Sequence, residues 1–557
     1  MKKILFLILL FLILLLGAFF RLYRLNEVPP SPSLDEVSIG WNAYSILKTG
    51  KDEYGYRFPV LLRAYDDWRP ALYVYLTIPF LKVLGLSTTS VRLPAVLLSL
   101  TTILGAYFLV KELFKNSRFT VYYSLITSFL LAISPWHIYL SRLGHEVGAG
   151  LTFSVLAVLF FLKWLHSNTL VYRTRIVWLI LTTFFFALSF YTYQSQKVFG
   201  PLLILALALI FRKQLLQFKK EIVFVGLLGL ILLIPILKAS LSPGGLIRFQ
   251  GSSIFSEQTT LKELSALRIA RDYQQHSSLG LIFDNQKVAM GSTFLTNYLS
   301  HFNPSWLFFN AGEERHKIPG LGHLYLWELP LLLVGVYQLI KEKFSKETKF
   351  LIFSWIVLAP LPASIATQTP HGMRAFNMLP MFQIIAAVGT VSLFQKINTQ
   401  RIHKILVFGL AVMLLIGSFA YLYHNYFFNF PYEQSSSFQY PLSRAILYVL
   451  SIEDKYDKIV FSERGQCDQS YMFFLFFSKT DPAWYQKQGG TVSGGFGKEH
   501  RFGKYEFRHI DWEQEAQEPS VGKILYVGSI TDLPEGIAGL ETFKLLDGQK
   551  VIKVVAR

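Results

Sequence analysis

Apolar and polar positions along the chain alternate on the scale of membrane crossings. After Met1, Lys2 and Lys3, an apolar run from Ile4 to Phe20 is long enough to cross a bilayer at about 1.5 Å per residue. Gly17, Ala18, Phe19, Phe20 and then Arg21 make a poor small-residue cleavage site, so the run reads as an uncleaved anchor with its basic end inside. Further runs centre on residues 71–86, 91–110, 119–140, 147–165, 176–192, 198–211, 221–238, 323–340, 350–366, 375–394 and 403–423. Were all of them to cross, KELFKNSR (111–118) and the basic loops at every second turn after it would lie outside, against the positive-inside bias. The run 71–86, ALYVYLTIPFLKVLGL, is short and carries Pro79 and Lys82; read as a helix lying in the outer interface, it removes the conflict. KELFKNSR, HSNTLVYRTR, FRKQLLQFKK, KEKFSKETK and QKINTQRIHK then all face the cytoplasm. The pattern predicts a polytopic α-helical membrane protein of about eleven transmembrane helices plus interfacial helices, N-terminus inside and C-terminus outside. The run 198–211 is the shortest of these spans.

The outer face then holds residues 21–90, SPWHIYLSRLGHE (134–146), YTYQSQK (191–197), a long segment near 239–322, QTPHGMRAFN (368–377) and everything from 424 onward. Past 424 the pattern changes to that of an extracytoplasmic α/β domain, so the chain divides into a membrane domain, 1–423, and a soluble domain, 424–557. PLSRAILYVLSIEDKYD reads as a helix, KIVFSE and KILYVGSI as strands, and TFKLLDGQKVIKVVAR as a hairpin around Asp547-Gly548. SYMFFLFFSKTDPAWYQKQ fits a helix or a strand followed by a Pro-bounded turn.

Composition agrees: 52% of the 557 residues are hydrophobic and 16% aromatic, too apolar for a soluble protein of this length. The net charge of +18 belongs to inner loops facing anionic lipid, not to nucleic-acid binding. The single cysteine, Cys467, excludes an intramolecular disulfide and a cysteine metal cluster.

Chemistry is best sought on the outer face. Asp35 and Glu36 sit side by side just after the first span; neighbouring like charges raise one another's pKa, which suits a general base. Equally, the pair can be solvated or can favour the N-terminus of a helix over VSIGWNAYSILK. In SRLGHE, Arg142, His145 and Glu146 stand at an outer helix mouth, where Glu146 either caps the next helix or joins Asp35 in holding an acceptor or a divalent ion. A metal set of Asp35, His145 and Glu146 is one such arrangement. Arg69, Arg92, Lys197 and Arg374, with His371 beside the last, end apolar segments; they snorkel to headgroups or converge on a phosphate.

The order of these strings resembles a known family. Asp35-Glu36, WRPALYVYL (68–76), SVRLPAVL (90–97) and SPWHIYLSRLGHE are similar to glycosyltransferase family 39 and the aminoarabinose transferases of the C-type superfamily. FYTYQSQKVFGPL, HFNPSWLFFNAGEERH and HGMRAFNMLP are also similar to bacterial members. The resemblance implies a polyprenyl-phosphate-linked sugar donor, an acceptor hydroxyl on protein, lipid or glycan, and inversion at the anomeric carbon. It implies Asp35 as catalytic base, with Glu36 beside it, and maps the second-loop acid onto Glu146, where this chain has His-Glu instead of Asp followed by Pro. Where some members carry Lys-Pro-Pro-Leu, this chain has Arg69-Pro70-Ala71-Leu72. Arg69, Arg92, Arg142, Lys197, His371 and Arg374 are the candidate contacts to donor phosphate and lipid. A transporter or flippase of a lipid-linked or anionic substrate is the alternative, but it calls for ionisable residues near the bilayer midplane, whereas Glu328 and Lys163 lie near span ends.

Overall fold

The computed structural model describes residues 2–167, 172–255, 260–309, 317–396, 401–517, 519, 522–534 and 536–557. The inner loops HSNTLVYRTR and QKINTQRIHK and the string HFNPSWLFFNAGEERH therefore lie partly outside the described residues. The chain folds as two units, one of residues 1–20, 98–141 and 146–422, the other of residues 21–97, 142–145 and 423–557. A linear division at 423 misses this: the first outer loop is folded together with the C-terminal domain.

The larger unit is a set of apolar helices. Among the described residues six helices of the chain are long and apolar enough to cross a membrane: Lys3–Leu22, Thr88–Leu113, Val147–His166, Lys219–Ser240, Phe376–Lys396 and Ile405–Glu433. A seventh forms if Thr120–Ile133 and Pro135–Ser141 are one span, bent by 59° where Pro135 interrupts the ladder. The predicted runs 176–192, 198–211, 323–340 and 350–366 appear as the shorter helices Tyr172–Phe190, Gln196–Ile210, Glu328–Lys341 and Lys346–Leu358. The last two are trimmed because 317–327 is non-helical and Pro360 breaks the run.

Leu227, Leu230, Ile231, Leu406, Phe408, Met413 and Ile416 are all more than half exposed, as expected of helices bathed in lipid. The chain is a multi-pass membrane protein. Between lipid-facing helices, small and polar side chains make the contacts. A Cβ on Gly335 or Gly389 would strike the backbone of the partner helix, at Ile385 and Leu331, so these two helices cross backbone to backbone. Gln196 Nε2 donates to Asn377 Oδ1 (2.8 Å), and Ser154 Oγ donates to Gln196 Oε1 (3.2 Å). The outer segment, read only as a long loop, holds the helices Pro243–Ser252, Thr260–Gln274, Ser278–Phe283, Gln286–Ser300 and Pro304–Phe308.

The second unit opens with helix α2, Leu34–Thr49, and a hairpin of β1, Leu61–Ala64, with β2, Asp67–Pro70. Helix α3, Leu72–Leu84, covers the run expected to lie in the interface; at 13 residues it is about 20 Å long, short of the hydrocarbon thickness. The C-terminal part holds a six-stranded sheet in the order β4-β5-β3-β6-β8-β7. Its strands are β3 Lys458–Phe461, β4 His500–Phe502, β5 Tyr505–Phe507, β6 Ile524–Ser529, β7 Glu541–Lys544 and β8 Lys550–Ala556. Strand β3 runs parallel to β5 and β6, and the remaining pairs are antiparallel. The ambiguous SYMFFLFFS is a helix, Ser470–Ser478, and Asp481 caps a second one, Pro482–Lys487, where a turn was expected. Phe474 reaches Phe461, Phe502 and Phe507 of the sheet, while Phe476 points at Gly40 of α2, where a Cβ would come within 2.5 Å of its ring.

Candidate active site

The two adjacent acids meet different surroundings because α2 begins between them and Ser33. Ser33 is the N-cap; its Oγ accepts from Glu36 N (3.3 Å), and Glu36 Oε2 accepts from Ser33 N (2.7 Å), a reciprocal capping box. One residue of helix turns the side chain by about 100°, so a Glu36 that faces inward leaves Asp35 facing out. Glu36 is 1% exposed: Arg92 Nε donates to its Oε1 (2.7 Å), Arg92 Nη2 to its Oε2 (3.2 Å), and Gly144 N to Oε1 (2.8 Å). Gly144 is needed there, since a Cβ would lie 2.9 Å from Val91 O. Asp35, by contrast, has a side chain half exposed at the positive end of the helix.

Asp35 is aimed by the hairpin. Arg69, near the end of β2, is buried and donates from Nη1 to Asp35 Oδ1 (2.9 Å) and from Nη2 to Ser38 Oγ (2.8 Å), one turn along α2. His145 Nε2 stands 4.0 Å from Asp35 Oδ2. The arrangement is a carboxylate with one oxygen pinned by a guanidinium and the other facing an imidazole and solvent. That geometry suits proton acceptance from a hydroxyl brought to Oδ2.

Two expected donor contacts are corrected by their burial. Arg92 is 0% exposed, and beyond Glu36 it donates to the carbonyls of Leu25 (2.8 Å), Pro29 (3.1 Å) and Ser31 (2.8 Å). Arg142 is also 0% exposed; its Nη2 donates to Val28 O (2.8 Å) and Arg24 O (3.2 Å), and its guanidinium lies over the rings of Tyr426 and Phe427. Guanidinium groups enclosed in this way brace the residue 25–31 turn and have no face to offer a phosphate. Glu36 likewise leaves no open side for an acceptor, which makes it a brace.

The other candidates belong to the larger unit. Lys197 and Arg374, both half-buried, line one cavity of about 280 Å³ with Tyr193, Gln194, Ser240 and Ser253. Arg374 Nη1 touches Gln368 O at 3.4 Å, and His371 N donates to His301 Nε2 (3.3 Å). Glu146 is buried at the N-cap position of the Val147–His166 helix, where its side chain makes no capping hydrogen bond.

Among the described residues no group of three His, Cys, Asp or Glu side chains is placed to hold a metal ion. At Asp35, Arg69 donates to Oδ1 and His145 Nε2 stands 4.0 Å from Oδ2.

Residues 51–70 contain site-supporting groups that sequence reasoning passed over. Glu53 is buried; Asn42 Nδ2 donates to its Oε1 (3.0 Å), and Tyr471 OH (3.1 Å) and Thr491 Oγ1 (3.0 Å) donate to its Oε2. Burial pushes its carboxyl up to about 7, against those hydrogen bonds. Asp66, at the hairpin tip, meets the loop near Ser493. The available signal was RAYDDW, a two-residue turn between short strands.

Residues 69–238 match the family model described as dolichyl-phosphate-mannose-protein mannosyltransferase. Comparison with curated proteins finds no match. Among solved structures, ArnT from Cupriavidus metallidurans in the apo state is similar with a TM-score of 0.54 and 11% identity, over 99% of this chain and 97% of that one. The same protein bound to undecaprenyl phosphate gives 0.53 and 12%, over 99% and 98%. The Archaeoglobus fulgidus oligosaccharyltransferase tethered with an acceptor peptide gives 0.53 and 12%, over 86% of this chain and 63% of that one. At such identities the structural likeness shows the fold. Family model and fold together bear out the resemblance to C-type glycosyltransferases read from the motifs.

Proposed function

We propose that this membrane protein of C-type glycosyltransferase fold transfers a sugar from a polyprenyl-phosphate donor to an acceptor hydroxyl on the outer face of the cell membrane, with inversion. The observation that carries the reading is the division of the acid pair. Glu36 is locked inside by Arg92, Ser33 and Gly144, while Asp35 stays half open with one oxygen held by Arg69. In the proposed step Asp35 takes the acceptor proton as the hydroxyl oxygen bonds to the anomeric carbon. The bond from that carbon to the phosphate oxygen breaks, and the electron pair leaves with polyprenyl phosphate. A phosphate is a good leaving group, so no general acid is required. The undecaprenyl phosphate of the ArnT structure and the peptide of the oligosaccharyltransferase support a lipid-phosphate donor and make a peptide hydroxyl the first acceptor to try.

The proposed topology has eleven crossings, with the bent pair counted once and the four shorter helices included. The N-terminus is cytoplasmic, and residues 21–90 and everything after about 424 are outside. Purified protein incubated with a panel of polyprenyl-phosphate sugars and acceptor peptides should release polyprenyl phosphate. Asp35→Asn should lower that rate by about a hundred- to ten-thousand-fold while gel filtration and thermal unfolding stay those of the wild type. Full activity in the variant sinks Asp35 as the base.

A further inference from the structure

The hairpin that delivers Arg69 to Asp35 has an unusual tip. The register pairs Ala64 with Asp67, so Tyr65 and Asp66 alone form the turn, and both have positive φ, +52° and +62°. A two-residue turn of this kind matches the twist of the strands but favours Asn and Gly, and a tyrosine there must be held from outside.

It is held from two directions within one folded unit. Tyr65 OH donates to Leu34 O (2.7 Å), the carbonyl just before Asp35. Asp66 is grasped by the glycine-rich stretch 489–498 of the C-terminal domain: Ser493 Oγ donates to its Oδ2 (2.5 Å) and Gly494 N to its Oδ1 (3.1 Å). Arg63, from β1, adds donors to Oδ1 at 2.9 and 2.6 Å. Gly494 approaches so closely that a Cβ would collide with the Tyr54 hydroxyl and lie 3.2 Å from Tyr65 Cα. The neighbouring Thr491 is fixed in the same way, by Glu53. Only two residues of strand, Asp67 and Trp68, then separate this tip from Arg69.

We propose that Asp66 is a positioning residue, and that the loop around Ser493 and Gly494 latches it so that the C-terminal domain sets the aim of Arg69 on Asp35. The proposal rests on Asp35 as the base. It gives the C-terminal domain a part in turnover: the domain tunes the base through the hairpin, without touching the reacting atoms.

Ser493→Ala removes one donor and Ser493→Thr keeps it. The alanine variant should lose about tenfold in kcat, the worth of one charged hydrogen bond, with KM for the lipid donor unchanged, and threonine should restore kcat. In an Arg69→Gln background Ser493→Ala should cost nothing further, since the latch acts through Arg69. Hydrogen exchange supplies a readout independent of chemistry: in Ser493→Ala the amides of residues 61–69 should exchange faster while Tyr440–Ile452 is unchanged. Losses that multiply in the double variant, or a hairpin whose protection does not change, overturn the latch. If the wild type transfers no sugar from any donor, the transferase reading fails, and the hairpin exchange alone decides the latch.

Discussion

A buried carboxylate beside an exposed one shows how far two adjacent acids can differ. Glu36 is compensated by Arg92 and by two backbone N–H groups, so removing its cation strands a charge inside the protein. Arg92→Met should lower stability by about 3–5 kcal/mol, read by thermal unfolding in detergent. The double variant Glu36→Gln/Arg92→Met should recover part of this loss, because the carbonyls of Leu25, Pro29 and Ser31 still lack their donor. The acids were legible in the sequence as a pair at the outer surface; which one opens to solvent was not argued, although Ser33 three residues before Glu36 is the spacing of a capping box. Arg92 and Arg142 resembled Arg69 because each ends an apolar run. Their targets are backbone carbonyls of residues 24–31, and carbonyls carry no sequence signature.

At the scale of elements, the first outer loop and the C-terminal domain are joined by buried acids, and this makes their packing depend on pH. Glu53 has a folded-state value near 7 against an ordinary 4.5, so the folded form holds its proton more tightly than the unfolded one. Its contribution is therefore fully present below about 4.5 and is lost as pH rises through about 7. Asp52, pushed up to about 6, acts in the same direction. His500, stacked on Tyr471 and lowered to about 4, acts in the opposite one, stabilising above 6.5 and failing as pH falls through about 4. The difference in unfolding free energy between the wild type and Glu53→Gln isolates the first term. It should shift against the wild type by up to about 3 kcal/mol from pH 4.5 to 7, at 1.36 kcal/mol per pKa unit, and then level off. A difference that stays flat across that window removes Glu53 from the account. None of this coupling could be read from periodicity, because Glu53 and Thr491 are remote in sequence. Long apolar runs and the Asp547-Gly548 hairpin were legible, whereas the three-residue strands β4 and β5 carry too little alternation to stand out.

For the whole molecule, orientation follows from charge: with Lys2 and Lys3 inside, KELFKNSR and the other basic loops fall on the cytoplasmic side only if α3 lies in the interface. The sole cysteine, Cys467, is buried, so introduced cysteines report sidedness against a quiet background. Asn116, in the first basic loop, and Val492, 83% exposed in the C-terminal domain, bracket all the later crossings. In right-side-out vesicles Val492→Cys should react with a membrane-impermeant maleimide, and Asn116→Cys only after the membrane is opened. The two sites together separate the ways of being wrong. If α3 crosses the bilayer, every later segment changes side and both results invert. If one of the shorter helices, such as Gln196–Ile210, fails to cross, Asn116 keeps its side and Val492 alone moves inward. An inward Val492 would part residues 423–557 from Asp66, which precedes α3 and keeps its outer side, and so would break the latch. The expected labelling pattern is therefore a condition of the proposed chemistry as well as of the fold.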